Sequence, residues 1–361
     1  MLIRFPFLYF NGSTIRTTEL RIAIPVTRTK VGVGSHSFHS FKHLRRIRLP
    51  SLIAAVVIAS MPLAQAKQQT SPHGAAVGAQ VLMARVGPPS REAVDEFKKA
   101  GMESVRPHTL TANERAKIEA VLGSLPTLNR NVLGNKLHAL AFVDGIPGEG
   151  TGLTSPVAKT GLYGITLRAS ILDEPLSTFL TTKERRLFID DGSGVSVTVS
   201  GTGIDALAYV LLHESSHVMD FACGVTTESN SRFVAGVWAN GKELVPELAS
   251  SPVAATYFRG ARRLGVGQAQ NLYDSLARSP FVSLYATASQ REDFAELVAW
   301  HEILKQHHGS LVIEVNDARG NVLGHWEPLT FPGLQKRFLY VDELLASPAS
   351  CSARESRPVD G

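Results

Sequence analysis

Apolar residues recur every three or four positions in several stretches of the chain, a spacing that predicts amphipathic helices. The strongest such pattern runs from Ile204 to Asp220, and weaker ones follow Ser90 and Thr111, whose side chains are suited to cap a helix. Thr111 is followed three residues later by Glu114, which is the capping-box arrangement. The predicted helices are 90–99, 111–122, 204–220, 269–276, 292–306 and 338–345.

Between residues 137 and 199 the pattern changes to short β-branched or apolar stretches separated by Gly, Pro and Asp. Such stretches predict strands, here at 137–143, 161–171, 187–189 and 195–199. Residues 311–315 and 322–326 flank a polar segment and predict a hairpin. Helices packed against a small mixed sheet define the α+β class of fold.

The first 66 residues differ from the rest of the chain. Lys42 to Arg48 is basic, Leu49 to Leu63 is an almost uninterrupted apolar run, and Ala64-Gln65-Ala66 has the small residues of a cleavage site. This order predicts a secretory signal peptide, and therefore export to the periplasm or the medium. A membrane anchor is the alternative, but the run is shorter than the ~20 apolar residues that a span needs. We therefore expect no stable membrane insertion once 1–66 is removed.

The charge of the chain is dominated by this N-terminal segment. The whole chain has a formal net charge of +5, but residues 1–66 hold nine Lys or Arg and one acid. The remainder has 28 basic and 31 acidic residues. The basic balance therefore gives no support for nucleic-acid binding.

The chain contains two cysteines, Cys223 and Cys351. An even count in an exported protein favours a disulfide between them. The alternative is one buried thiol and one thiol in the C-terminal tail.

The sequence His213-Glu214-Ser215-Ser216-His217 lies within the strongest helical pattern. Residues four apart share one face of a helix, so both imidazoles can reach one metal ion. Glu214 is suited to act as the general base in hydrolysis of a carbonyl compound. This is the HExxH signature of zincins, and a packed helix with two unrelated histidines is the alternative. A catalytic zinc also needs a third protein ligand and an open position.

A second helical pattern follows Tyr285 and carries two acids. Glu292 and Glu296 are one turn apart, so their carboxylates point in one direction. An acidic first turn favoured by the helix dipole is the alternative. That alternative does not account for Tyr285, nor for the apolar Phe294 and Ala295 between the acids. His301, further along this pattern, is expected at the surface.

His-Glu-x-x-His, followed later by Tyr-Ala, five residues and Glu-x-Phe-Ala, resembles the gluzincin zinc metallopeptidases related to anthrax lethal factor and to the MtfA-type peptidases. The resemblance is confined to these two segments. It implies His213, His217 and Glu292 as ligands of one Zn²⁺ per chain, with Glu214 as the general base. It also implies that Tyr285 stabilises the developing oxyanion, and that the substrate is a peptide or protein.

The same resemblance concerns residues that support the ligands. Asp220, three residues after the second histidine, matches the MtfA pattern and could orient a ligand imidazole, and Glu296 is placed in a similar supporting role. In zincins generally an edge strand pairs with the extended substrate, and 161–171 is our candidate for that strand by analogy, with a purely structural strand as the alternative.

The patterns divide the chain into an extension and signal peptide at 1–66, a leader with N-terminal helices at 67–136, a zincin-like catalytic domain at 137–310, and a C-terminal hairpin, short helix and tail at 311–361. A helical insertion is expected at about 225–280, where Arg259, Arg262 and Arg263 would form a solvated helical face, with contact to an acidic substrate as the alternative. The competing functions are an envelope regulator or binding protein that keeps the fold with little activity, and a metal-dependent amidase acting on the cell wall.

Overall fold

The computed structural model describes residues 7–9, 77–227, 231–346 and 351, and the segment at 42–66 that was predicted to be a signal peptide lies outside them. The helices are α1 (Ala79–Met83), α2 (Arg91–Lys99), α3 (Ala112–Ser124), α4 (Thr127–Lys136), α5 (Leu176–Arg185), α6 (Ala206–Cys223), α7 (Pro246–Ala249), α8 (Ala269–Ala277), α9 (Gln290–His307) and α10 (Gln335–Ala346). The strands are β1 (Phe7–Tyr9), β2 (Glu103–Pro107), β3 (Leu137–Ile146), β4 (Gly152–Val157), β5 (Leu162–Arg168), β6 (Phe188–Ile189), β7 (Ser196–Gly201), β8 (Leu264–Gly265), β9 (Leu311–Asn316) and β10 (Val322–Trp326).

The described strands form three sheets. The largest has the order β1-β4-β5-β3-β2, in which β5 is antiparallel to β4 and parallel to β3. The second is antiparallel with the order β10-β9-β7, and the third joins β6 to β8. The expectation of one sheet holding all strands between 137 and 199 was wrong. Apolar patterns mark strands but not their partners, and β7 pairs with the hairpin β9–β10 instead.

The candidate for the substrate-pairing edge was also wrong. The predicted stretch 161–171 contains β5, which is hydrogen-bonded to β4 on one side and to β3 on the other, so it has no free edge. The outer neighbour of β5 is β4, which sequence reasoning missed. Gly152, Thr154, Ser155 and Pro156 interrupt the apolar pattern there, and they hide the strand.

Helix α6 lies at the centre of the core. Its N-cap is Asp205, whose carboxylate accepts a hydrogen bond of 2.9 Å from the Ala208 amide, and it ends at Gly224 in the left-handed region (φ 65°). Sixteen of its 18 residues are buried. The helix is surrounded by α3, α4, α5, α9 and β4. Polar residues buried in such a helix need hydrogen-bond or metal partners, so the buried HExxH residues indicate a functional site.

Helix α5 covers the outer edge of β7 through side chains spaced four residues apart. The Thr181 hydroxyl accepts from the Val199 amide and donates to the Val199 carbonyl, both at 2.9 Å. Ser177 makes the same pair of bonds with Gly201, at 3.1 and 3.2 Å. The backbone groups of this edge are therefore satisfied by a helix rather than by another strand.

The C-terminal segment is fastened to the end of α6. Cys223 and Cys351 are joined as a disulfide with their Cα atoms 4.7 Å apart. The described residues all belong to one compact unit. Within the described part of the chain, no helix is both long and apolar enough to cross a membrane.

Two expectations about side chains were also wrong. The helical face expected at 259–263 is absent, because residues 260–263 are not helical, and the Arg259 guanidinium donates to the carbonyls of Ala254, Lys242 and Thr287. Arg262 and Arg263 are exposed, as predicted. His301 is buried rather than at the surface, because its ring nitrogens contact Glu302 and Asp342 and so connect α9 to α10.

Candidate metal centre

The three predicted ligands converge at one point between α6 and α9. His213 Nε2 lies 3.1 Å from Glu292 Oε2 and 3.1 Å from His217 Nε2, and His217 Nε2 lies 3.5 Å from Glu292 Oε2. The two histidines project from successive turns of α6. Glu292 comes from the first turn of α9. The N-cap of this helix is Ser289, whose side chain accepts a hydrogen bond from the Glu292 amide.

This triangle fits a zinc ion. Zinc bonds of roughly 2.0 to 2.1 Å in a tetrahedral site separate two ligand atoms by about 3.3 Å. The three observed distances, 3.1, 3.1 and 3.5 Å, surround that value. Among the described residues, this is the group of His, Cys, Asp or Glu side chains that could hold a metal ion. Two nitrogens and one carboxylate oxygen are donors that zinc accepts.

Electrostatics at the site favour a negative Glu292 and a cation beside it. Burial would raise the pKa of Glu292, but the charges and hydrogen bonds of His217 and His213 hold it well below its usual range. Burial lowers the pKa of His213, whereas contacts with Glu292 and Glu296 outweigh burial and bring the pKa to about 9. A metal ion bound here would therefore displace a proton, as is usual for histidine ligands.

Glu214 is held against β4. The Thr154 hydroxyl lies 2.5 Å from Glu214 Oε2 and 3.3 Å from the Glu214 carbonyl. Glu214 Oε1 is buried and has no hydrogen-bond partner among the described residues. Burial raises the pKa of Glu214, against the opposing effects of His217, His213 and Thr154. One carboxylate oxygen is thus fixed, and the other is available to accept a proton.

Gly152 makes room for that second oxygen. A Cβ atom built on Gly152 would lie 2.3 Å from Glu214 Oε1 and 2.9 Å from Glu214 Cδ. Any side chain at this position of β4 would therefore occupy the space of the carboxylate. Sequence reasoning missed both Gly152 and Thr154, because β4 itself was missed; a polar Gly-x-Thr between predicted strands was the available signal.

Tyr285 lies beside the ligands, in a short 3₁₀ turn (Tyr285–Ala288) before α9. The centroid of its ring lies 6.0 Å from that of the His213 ring. The Tyr285 ring also packs edge-on against the Phe258 ring. Burial raises the pKa of Tyr285 well above its usual value, and the charges of Glu292, Glu296 and Glu214 raise it further. The phenol therefore keeps its proton and remains a hydrogen-bond donor.

Glu296 lies behind His213. Its Oε1 is 3.2 Å from His213 Nδ1 and 3.1 Å from Lys183 Nζ, and it also accepts from the Tyr209 hydroxyl. Its Oε2 accepts from the Ser283 hydroxyl at 2.6 Å. Burial would raise the pKa of Glu296, but Lys183 and His213 outweigh it and hold the pKa well below its usual range. A carboxylate on the far nitrogen of a ligand histidine fixes its tautomer and ring orientation.

Asp220 is placed one turn beyond His217, where its carboxylate is engaged by a neighbouring loop. Its two oxygens accept from the amide and the hydroxyl of Thr226, each at 2.7 Å, and Arg291 Nε lies 3.8 Å away. Burial raises the pKa of Asp220, while Thr226 and the charge of His217 oppose that shift. Asp220 thus acts on His217 electrostatically, and its direct contacts anchor the end of α6.

No protein-family model, curated protein or solved structure matches this chain. The class of protein must therefore be argued from the site itself.

Proposed function

We propose that this chain is an exported zinc-dependent peptidase of the gluzincin type, with a zincin-like α+β fold. The observation that carries the proposal is the buried triangle of His213, His217 and Glu292, together with Glu214, whose charge interacts with all three and whose Oε1 has no hydrogen-bond partner among the described residues. Two helical histidines, a glutamate from a second helix and an adjacent carboxylate base are the components of a hydrolytic zinc site. The basic segment, apolar run and small-residue site before Lys67, together with the disulfide, support export.

Different residues of the chain would have different roles in hydrolysis. When bound, zinc supplies a Lewis acid that polarises the scissile carbonyl and makes water more acidic. Glu214 Oε1 accepts the proton of the attacking water, and Glu214 later returns it to the leaving amine. The Tyr285 hydroxyl donates to the oxyanion. The three ligand residues are no more than 6% exposed, and such low-dielectric surroundings strengthen each of these interactions.

The test is metal analysis of the purified mature protein, with casein hydrolysis measured before and after treatment with a chelator. We expect one zinc per chain, and casein cleavage that is lost with the chelator and restored by zinc. Glu292→Ala should lose zinc, whereas Glu243→Ala and Glu247→Ala, both at exposed positions, should keep it.

Glu214→Gln separates catalysis from metal binding. The amide keeps the shape of the side chain but cannot accept the proton, so this variant should bind zinc and not cleave casein. A wild-type protein that binds zinc but cleaves nothing would contradict the peptidase and favour a binding protein. Full zinc content in Glu292→Ala would show that the ligand set is wrong.

A further inference from the structure

Lys183 is a buried lysine near the proposed metal site, and the mechanism described above assigns it no role. It lies in the last turn of α5, and only 6% of its side chain is exposed. A buried ammonium without compensation is costly, so such residues are paired. Sequence reasoning did not select it, because no helix was predicted at 176–185 and nothing local to Lys183 indicates that it is buried.

The ammonium of Lys183 faces groups of the metal site. Its Nζ lies 3.1 Å from Glu296 Oε1 and 3.5 Å from the Tyr209 hydroxyl. The same Glu296 oxygen lies 3.2 Å from His213 Nδ1. A chain of direct contacts therefore runs from Lys183 through Glu296 to the first histidine of the HExxH sequence.

Lys183 also contacts Tyr285, the tyrosine beside His213. Its Nζ lies 3.9 Å from the centroid of the Tyr285 ring, within the range of a cation–π contact. One side chain from α5 thus contacts both the carboxylate behind a ligand and the aromatic ring beside it.

We propose that Lys183 is a positioning residue of the metal centre, which holds Glu296 against His213 and Tyr285 in its place beside the ligands. This inference rests on the proposed zinc site, and it names a part of that site outside the HExxH and Tyr-x₆-Glu segments. Without Lys183, Glu296 loses its one fully cationic neighbour among the described residues, and its buried charge is left with His213 and the hydroxyls of Tyr209 and Ser283 as donors. The carboxylate then no longer fixes the orientation of His213, and loss of such support weakens metal binding.

The test measures zinc affinity by competition with a chromophoric chelator, so it does not depend on peptidase activity. Lys183→Met keeps much of the length and apolar character of the side chain and removes the charge. We expect its zinc affinity to fall roughly 10- to 100-fold, the range found for residues that support metal ligands. Thr181→Val is the matched control, because it removes bonds that fasten α5 to β7 without touching the site. Its zinc affinity should equal that of the wild type.

The double variant Lys183→Met/Glu296→Gln keeps the buried charges balanced and covers the case in which Lys183→Met alone does not fold. If Lys183 acts through Glu296, the double variant should bind zinc about as tightly as Glu296→Gln alone. If the double variant instead loses zinc affinity by the product of the two single-variant losses, the inference is overturned. It is also overturned if Lys183→Met binds zinc as tightly as the wild type. A wild-type protein that binds no zinc would overturn the metal site and this inference together. Tight wild-type binding that is insensitive to Lys183 would overturn this inference alone.

Discussion

Replacement of Gly152 by alanine is the sharpest structural test of the general base. The added Cβ would lie 2.3 Å from Glu214 Oε1, whereas ordinary contacts begin near 3.4 Å. The carboxylate would therefore have to move by about 1 Å. Neither backbone strain nor lost burial complicates the change, because Gly152 does not have a positive φ and alanine adds apolar surface.

The expected cost follows from that displacement. A misplacement of about 1 Å in a catalytic group can lower the rate roughly 100-fold, which corresponds to about 2.7 kcal/mol in the activation barrier. The three atoms nearest the new methyl group all belong to Glu214, so zinc content should remain at one per chain. We therefore expect Gly152→Ala to lose kcat and to keep its metal.

The assay is steady-state cleavage of a fluorogenic peptide, with metal analysis of the same preparation. Gly164→Ala is the matched control, since it is also a glycine in the largest sheet and its Cβ would meet Ser155 Oγ at an ordinary 3.9 Å. Both alanines reduce the freedom of the unfolded chain similarly, so a difference between them reports on the site. A kcat of Gly152→Ala equal to that of Gly164→Ala would refute the placement of Glu214.

Three further predictions test separate parts of the molecule. Thr154→Val should lower kcat about 10-fold with zinc retained, because Glu214 loses its hydrogen bond, and Thr154→Ser should restore the rate; equal rates for Val and Ser would show that the hydroxyl has no role. Tyr285→Phe should raise the barrier by about 2 to 4 kcal/mol through kcat, with little change in KM, and normal turnover with intact zinc would leave Tyr285 a packing residue. Cys351→Ser should lower the free energy of unfolding in guanidinium by up to about 5 kcal/mol, because Cys223 and Cys351 close a loop of 128 residues, and an unchanged denaturation midpoint would contradict this.

Local patterns were sufficient to predict the helices that carry the ligands. Helical spacing placed His213 and His217 on one face of α6, and a second helical pattern predicted α9. The expected caps at Ser90 and Thr111 are also present, in α2 and α3. Glu292 was predicted as a ligand because its segment resembles that of the gluzincins. The structure brings it to His217 across 75 positions of sequence.

The rest of the site depends on contacts that no local pattern encodes. Gly152 and Thr154 meet Glu214 only because β4 packs across α6, and an interrupted apolar pattern gave no reason to expect a strand there. Lys183 reaches Glu296 across 113 positions of sequence, from a helix that was not predicted. Side chains that support a site are chosen by tertiary packing, so their spacing along the chain carries little signal.

The covered edge of β7 has a consequence for how copies of this protein associate. Because hydroxyls of Ser177 and Thr181 occupy its backbone groups, β7 cannot accept a strand from another molecule without displacing α5. The opposite border of that sheet is β10, where Val322 and Leu323 are 54% and 43% exposed. Unpaired strand borders with apolar side chains are the usual starting points of aggregation. Pairing through this sheet would therefore join the β10 strands of two copies, and because the β7 border is covered, the assembly would stop at a dimer rather than grow into an open chain.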